Sequence, residues 1–322
     1  MRGGSRTDGE RSAIRRDLGR GLLLRLAHGA YVERAGFEAL SPEDQHVVRM
    51  RAITALSDRP VVFSHWSAAV VHGLPVLRSR IGSVHTTVPT AGSRSRTAVT
   101  GHVFPLRDQQ VVAVHGLLLT GPERTVVDLA GAGSFEEGVM AADGLLLLGV
   151  PRAALELAAD LAGPRRSASR MRDVVAFAHP GAESAAESRF RVTAVRLGLE
   201  PPALQHPVAL ADGSTAFVDA LLERHGVGVG VEVDGDRKYL DPSMAPAGAA
   251  RAVLDEKRRE DEVRLHLEGL VRVGWVQAGS TALLQGLLAR VGVTPPRPRA
   301  TRADYAAAAA SARPRFRARR RR

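Results

Sequence analysis

The period of apolar and polar positions changes repeatedly along the chain, and each change marks an expected element. Between Ser12 and Leu26 the residues Ile14, Leu18, Leu22, Leu23 and Leu26 recur at helical spacing with arginines opposite, and Gly29 then precedes the run Ala30-Tyr31-Val32. A helix, a turn and a strand are expected there. Ser41-Pro42-Glu43-Asp44 opens a second helix, with a serine cap, a proline in the first turn and acids at the positive end of the dipole. It runs through Val47, Val48, Met50 and Ile53 to about Leu56. Val61-Val62-Phe63 predicts a short buried strand, and Ser64–Pro75 a helix capped by Ser64 and closed by Gly73 and Pro75. Val84–Val88 and Gly101–Phe104 predict strands around a loop at Ser93–Arg96, and Val111–Leu119 a hairpin turning at His115-Gly116. Helices follow from Thr120, over Phe135–Leu148 and over Pro151–Ala162.

Gly163–Arg170 is polar and rich in breakers, and is the best internal boundary. Beyond it come a helix over Met171–Ala178 and a second one carrying Glu183, Glu187, Phe190, Val192, Val195 and Leu197, closed by Gly198. A strand starts at Gln205, and Asp212-Gly213 is a hairpin turn. A charged helix over Ala252–Leu267, a strand at Gly269–Trp275 and a helix from Thr281 to about Val291 complete the pattern. Helix, strands, helix, strand predicts an α/β unit around a small mixed sheet, preceded by an α+β half.

Phe217–Tyr239 is where the pattern acquires chemistry. Two β-rich runs flank the turn Glu223-Arg224-His225-Gly226, which predicts a hairpin. Period two puts Glu232 and Asp234 on one face with Val231 and Val233 on the other, and Asp219 lies on the preceding strand. Carboxylates on adjacent strands repel one another unless a positive charge lies between them, and a divalent cation is the usual answer. Mg²⁺ takes one or two carboxylates, waters and phosphate oxygens, which points to phosphodiester chemistry. A solvated hairpin with acids on its wet face has the same pattern.

Composition narrows the class. The chain has 322 residues, room for two domains, with 44% hydrophobic and 4% aromatic content and no cysteine. No disulfide or thiolate metal site is therefore open to it, which fits a reducing cytoplasm. Neither a secretory apolar region nor a bilayer-length run is found: Leu22-Leu23-Leu24 is broken by Arg25, and Leu145–Leu148 ends at Gly149. A cytoplasmic protein with no membrane association is expected. Arg297–Arg322 holds ten arginines against Asp304, a net of +9 out of +11, so the remainder carries only +2. This low-complexity tail is expected to be disordered, and is either a non-specific nucleic-acid anchor or an inert extension. His65, His72, His85, His102 and His115 have no zinc-motif spacing and receive no catalytic role.

The second half, roughly Ala182 to Val291, resembles the PD-(D/E)XK nuclease superfamily in its branch related to very-short-patch-repair endonucleases. The likeness rests on an ordered series: Glu183–Ser188, Gln205, Val218-Asp219, Val231–Gly235 with Lys238-Tyr239, Glu256–Asp261 and Val271-Arg272-Val273. It implies a restriction-endonuclease-like mixed sheet flanked by helices, and Asp219, Glu232 and Glu187 as ligands of Mg²⁺ or Mn²⁺. The family's lysine, two residues after its strand glutamate, is here Asp234. Lys257 on the next helix or Lys238 would supply the ammonium instead, Asp234 would become a further ligand, and Gln205 would bind phosphate or water. The first half is similar to AbiEi-type antitoxin or transcriptional-regulator proteins, through Leu26–Val32, Ser64–Ala69 with Gly73-Leu74-Pro75, His85–Pro89 and Thr120–Leu129. The family's winged helix is cut short here.

The resemblances imply five segments: a truncated winged-helix-like segment or cap at 1–36, an antitoxin-like α+β domain at 37–162, and a linker with a connecting helix at 163–181. A nuclease-like domain at 182–292 and a basic tail at 293–322 follow. The expectation is a Mg²⁺-dependent endonuclease-like protein acting on nucleic acid, DNA foremost, coupled to an antitoxin-like domain with a toxin as possible partner. Its rivals are a catalytically silent DNA-binding or toxin–antitoxin regulatory protein and a small-molecule hydrolase using the same acids. Deleting Arg297–Arg322 separates the two readings of the tail. If the tail anchors nucleic acid, duplex affinity at low salt falls and the slope of log K against log salt flattens; an inert tail changes neither.

Overall fold

A computed structural model describes residues 7–88, 99–163, 166–224, 227–234 and 258–295. Lys238, Lys257, the turn at His225-Gly226, the loop at Ser93–Arg96 and the arginine tail lie outside the described residues. The chain divides into two compact units, residues 1–137 with 157–167, and residues 138–156 with 168–322. Both mix helices and strands.

In the first unit, α1 (Asp8–Gly19) is held by a reciprocal cap: Thr7 Oγ1 accepts from Glu10 N–H at 3.3 Å, and Glu10 accepts from Thr7 N–H at 2.8 Å. The helix stops earlier than its apolar spacing suggested. Gly21 takes φ +73, and the leucines beyond it enter strand β1 (Leu23–Ala27), which pairs with β2 (Ala30–Glu33) across Gly29. A leucine run reads equally well at either period, and the left-handed glycine decides between them. After α2 (Arg34–Glu38), α3 (Pro42–Leu56) starts where its cap sequence predicts, with Ser41 Oγ accepting from Asp44 N–H at 3.0 Å.

β3 (Val62–Phe63), β4 (Val84–Val88), β5 (Val99–Val103), β6 (Val111–Val114) and β7 (Leu117–Thr120) form a mixed sheet in the order β5-β4-β3-β7-β6. The β6–β7 turn is His115-Gly116, both residues left-handed at φ 49 and 79, as a two-residue hairpin requires. Met50, Phe63, Ala68, Val84, Leu117 and Leu119 form the core between this sheet, α3 and α4 (His65–Val71). Ser64 precedes α4 but does not cap it with its side chain; its hydroxyl bonds His65 Nδ1 instead, at 2.9 Å. α5 (Pro122–Ala132) follows the sheet and buries the ion pair Arg124–Asp128 at 2.8 Å. α6 (Phe135–Leu147) and α7 (Arg152–Leu161) come next in the chain.

The second unit contains α8 (Ala168–Phe177), α9 (Ala185–Arg196), β8 (Ala203–Ala209), β9 (Thr215–Arg224), β10 (Val227–Asp234), a helix α10 at 258–265, β11 (Gly269–Gly274), α11 (Trp275–Ala278) and α12 (Thr281–Ala289). Its sheet has the order β11-β10-β9-β8, antiparallel except for the parallel pair β10–β11. α9, α11 and α12 cover one face, where Phe190, Ala194 and Leu197 meet Ala220, Val231, Val233 and Val273. Val263 of α10 packs with Val208, Ala216 and Val218 in a second cluster. Gly230 makes that approach possible, because a Cβ there would lie 2.6 Å from Leu267 and 2.8 Å from Leu270.

Asp143 of α6 ties this unit together from beneath α9. It is fully buried, accepts from Arg191 Nη1 and from His179 N–H at 2.6 Å each, and Arg191 also donates to Phe177 O at 2.9 Å. Removing one member of a buried charge pair leaves the other uncompensated. Asp143→Ala is therefore expected to cost about 3–5 kcal/mol in urea unfolding; a loss below about 1 kcal/mol would show that the Arg191 guanidinium finds water.

Candidate carboxylate site

Three of the site residues singled out in the sequence, Gln205, Asp219 and Glu232, are brought together by strand register. Glu232 pairs with Arg272 across the parallel β10–β11 ladder. Val231 pairs with Ala220, and Leu204 and His206 pair with Ala220 and Val218, so the same registers put Asp219 beside Glu232 and Gln205 beside Asp219. The row Arg272–Glu232–Asp219–Gln205 thus crosses all four strands. β9 reverses its alternation within this row. Val218 faces the α10 side, against Gly230, whereas Ala220 faces the α9 core, although two residues apart on a regular strand they would share a face. Gln205 opposite has a left-handed backbone, φ 50, which a non-glycine residue adopts only at a cost of about 1–2 kcal/mol.

Glu187 joins from the first turn of α9. Ser184 caps that helix, accepting from Glu187 N–H at 3.1 Å, while Glu187 Oε2 accepts from Glu183 N–H at 2.9 Å. The side chain is only 5% exposed. Burial pushes its carboxyl up to about 7, and the Asp219 charge adds to this against the pull of the Glu183 N–H. Glu232 is also raised, first by burial, with Glu260 and Asp219 adding and Arg272 opposing. Glu187 and Glu232 therefore each sense the charge of Asp219.

Each acid already has a partner within the protein. Asp219 Oδ2 accepts from Val233 N–H at 2.7 Å, and Glu232 Oε2 from Arg272 Nε at 3.1 Å. Arg272 Nη2 also donates to Glu260 Oε2 at 2.8 Å, and Glu260 Oε1 accepts from Arg264 at 2.7 Å. Desolvation opposes protonation of Arg272, yet Glu232, Glu260 and Asp234 together raise its pKa above the ordinary value. The positive charge among these acids is thus a guanidinium that the sequence had offered only as part of a strand. Its register with Glu232 is the missing signal, and register is not written in any local motif. Asp234 ends β10 opposite Gly274 and contributes charge to Arg272.

Among the described residues no group of three or more His, Asp or Glu has the geometry of a metal site. In donor type the row does fit a hard divalent cation, which takes carboxylate oxygens. Burial is the main cause of the raised proton affinities of Glu187 and Glu232, and the charge of Asp219 adds to both.

The five histidines singled out in the sequence of the first unit divide into two sets. His72 Nε2 bonds Thr120 O at 2.8 Å and His115 sits in a turn, so these have ordinary roles. His65, His85 and His102 instead form a cluster that their spacing does not announce. The His65 and His102 rings stack at 3.5 Å and 12°, and His85 Nδ1 lies 2.9 Å from His102 Nε2. Burial, then the His102 charge, pushes His85 down to about 4, which keeps the ring neutral and able to share a proton. His65 has φ 52 and borders a cavity of about 340 Å³ with His102, Phe104 and Asp128.

Compared with known proteins, the chain matches no family model, no curated protein and no solved structure. No helix among the described residues is long and apolar enough to cross a membrane.

Glu187 gives the site a pH signature. Between its ordinary value of 4.5 and about 7 the folded protein holds a proton that the unfolded chain releases, so its contribution favours folding below pH 4.5 and is lost by pH 7. Glu187→Gln keeps an acceptor for Glu183 N–H and carries no charge. In metal-free buffer it is expected to stabilise the protein at pH 8, by up to about 3 kcal/mol, and to leave pH 4.5 unchanged; thermal melts across this range check it.

Proposed function

We propose that the second unit is a divalent-cation-dependent endonuclease-like domain that hydrolyses phosphodiester bonds in DNA, joined to an antitoxin-like regulatory unit. The observation that carries the reading is that Asp219 of β9 lies in register beside Glu232 of β10 and that its charge reaches both Glu232 and Glu187 of α9. Further support comes from the order α9-β8-β9-β10-α10-β11 and the mixed sheet β11-β10-β9-β8, the arrangement implied by the restriction-endonuclease-like resemblance.

In this reading Asp219 and Glu232 would hold Mg²⁺ or Mn²⁺, with Glu187 as the third carboxylate of the set. When bound, such an ion polarises the scissile phosphate and acidifies water. Glu187, with a proton affinity near neutrality and one oxygen fixed by Glu183 N–H, is suited to take a proton from the attacking water at Oε1. Gln205, in strand register with Asp219, would hold water or a phosphate oxygen with its amide. The ammonium would come from Lys257 or Lys238.

A second reading has a specific observation in its favour. Asp234 stands where the family's lysine is expected, and Arg272 already neutralises Glu232. A nuclease fold that has lost its chemistry and serves DNA binding or toxin–antitoxin regulation would have these features.

Mn²⁺ calorimetry on the full chain decides between them. Wild type is expected to bind Mn²⁺, and Asp219→Ala with Glu232→Ala to lose that binding together with any Mn²⁺-dependent nicking of plasmid DNA. Absence of Mn²⁺ binding by wild type, with and without short duplex DNA, would leave the silent reading standing.

A further inference from the structure

The geometry points to Arg272 as an exchangeable counter-ion of the carboxylate row: it holds Glu232 while no divalent cation is bound, and passes to a phosphate oxygen of nucleic acid when one is. This rests on the carboxylate-site reading and adds to it the regulation of the site.

The argument begins with placement. Arg272 is in register with Glu232 on the neighbouring strand, so no loop motion is needed to bring it to the row. Its fork divides between two elements, Nε to Glu232 of β10 and Nη2 to Glu260 of α10. Asp234, at the position of the missing lysine, adds its charge to the same guanidinium. A cation in direct contact with Glu232 competes with any metal for that carboxylate.

Release is also cheap. The Arg272 side chain is 50% exposed, so solvent reaches the guanidinium and screens its pairs with the less exposed Glu232 and Glu260. Glu260 keeps Arg264 when Arg272 leaves, and the departing guanidinium stays near the row, where a planar fork matches two phosphate oxygens. A buried arginine would be a fixed part of the core; this one is free to turn toward solvent. The exchange makes cation binding and phosphate binding mutually supportive, because the cation takes Glu232, the phosphate takes Arg272, and either one breaks the pair that competes with the other.

The test is Mn²⁺ titration of the full-length protein and its Arg272→Gln variant by calorimetry at pH 7.5, without and then with a short DNA duplex. Without DNA, the variant is expected to bind Mn²⁺ about two- to fivefold more tightly than wild type, the scale set by losing a partly exposed competing ion pair. With DNA, wild type is expected to gain Mn²⁺ affinity while the variant gains less. Unchanged or weaker Mn²⁺ binding by a folded Arg272→Gln protein, with wild type binding normally, overturns the exchange and leaves the metal site intact. Failure of both proteins to bind Mn²⁺ overturns the carboxylate-site reading and the exchange with it. Should Arg272→Gln not fold, Arg272→Lys, which keeps the charge but cannot bridge both glutamates, is expected to show the same direction with a smaller change, and equality with wild type would refute the exchange.

Discussion

Strand register in the second unit is the constraint on which the remainder hangs. Because side chains alternate, a slip of one residue between β9 and β10 would move Val231 and Val233 out of the core and turn Glu232 into it. The parallel pairing of β10 with β11 adds a second lock, since Val271 and Val273 enter the same core as Val231 and Val233. Apolar packing on one face therefore fixes, with no further expense, which polar side chains stand in line on the other. The row Arg272–Glu232–Asp219–Gln205 is a by-product of hydrophobic burial, and the strained Gln205 and the reversed alternation of β9 are where it departs from a regular sheet.

Much of the architecture was legible in the sequence because it depends on local physics. Ser41-Pro42 started α3, and His115-Gly116 and Asp212-Gly213 turned the chain, each through a cap or a left-handed residue that acts over four positions, whereas α9 starts at Ala185 behind a Ser184 cap and leaves Glu183, expected on the helix, ahead of it. The end of α1 was misread because the leucines at 22–24 satisfy both periods, and the side-chain cap expected of Ser64 was lost to its neighbour His65.

The candidate site was legible in part. Glu187, Asp219, Glu232 and Gln205 carry their chemistry in their side chains; strand register lines up the last three, and Glu187 adjoins Asp219 from the first turn of α9. Two features were out of reach of a linear reading. Arg272 looked like one polar position in an apolar strand, and only cross-strand pairing shows which acid it meets. The His65–His85–His102 cluster depends likewise on a parallel ladder and on a left-handed backbone at His65. Both cases turn on partners distant in sequence, which no motif of adjacent residues records.

The interleaved path of the chain has a consequence for biogenesis. The first unit is completed by residues 157–167, which leave the ribosome only after 138–156, a piece of the second unit, has already emerged. Neither unit can be obtained by one cut: stopping at 137 omits the closing segment of the first, and starting at 168 omits Asp143, the carboxylate that meets Arg191. Nascent chains must hold one unit unfinished while the next begins, so synthesis order and folding order are coupled here in a way that two domains in tandem would avoid.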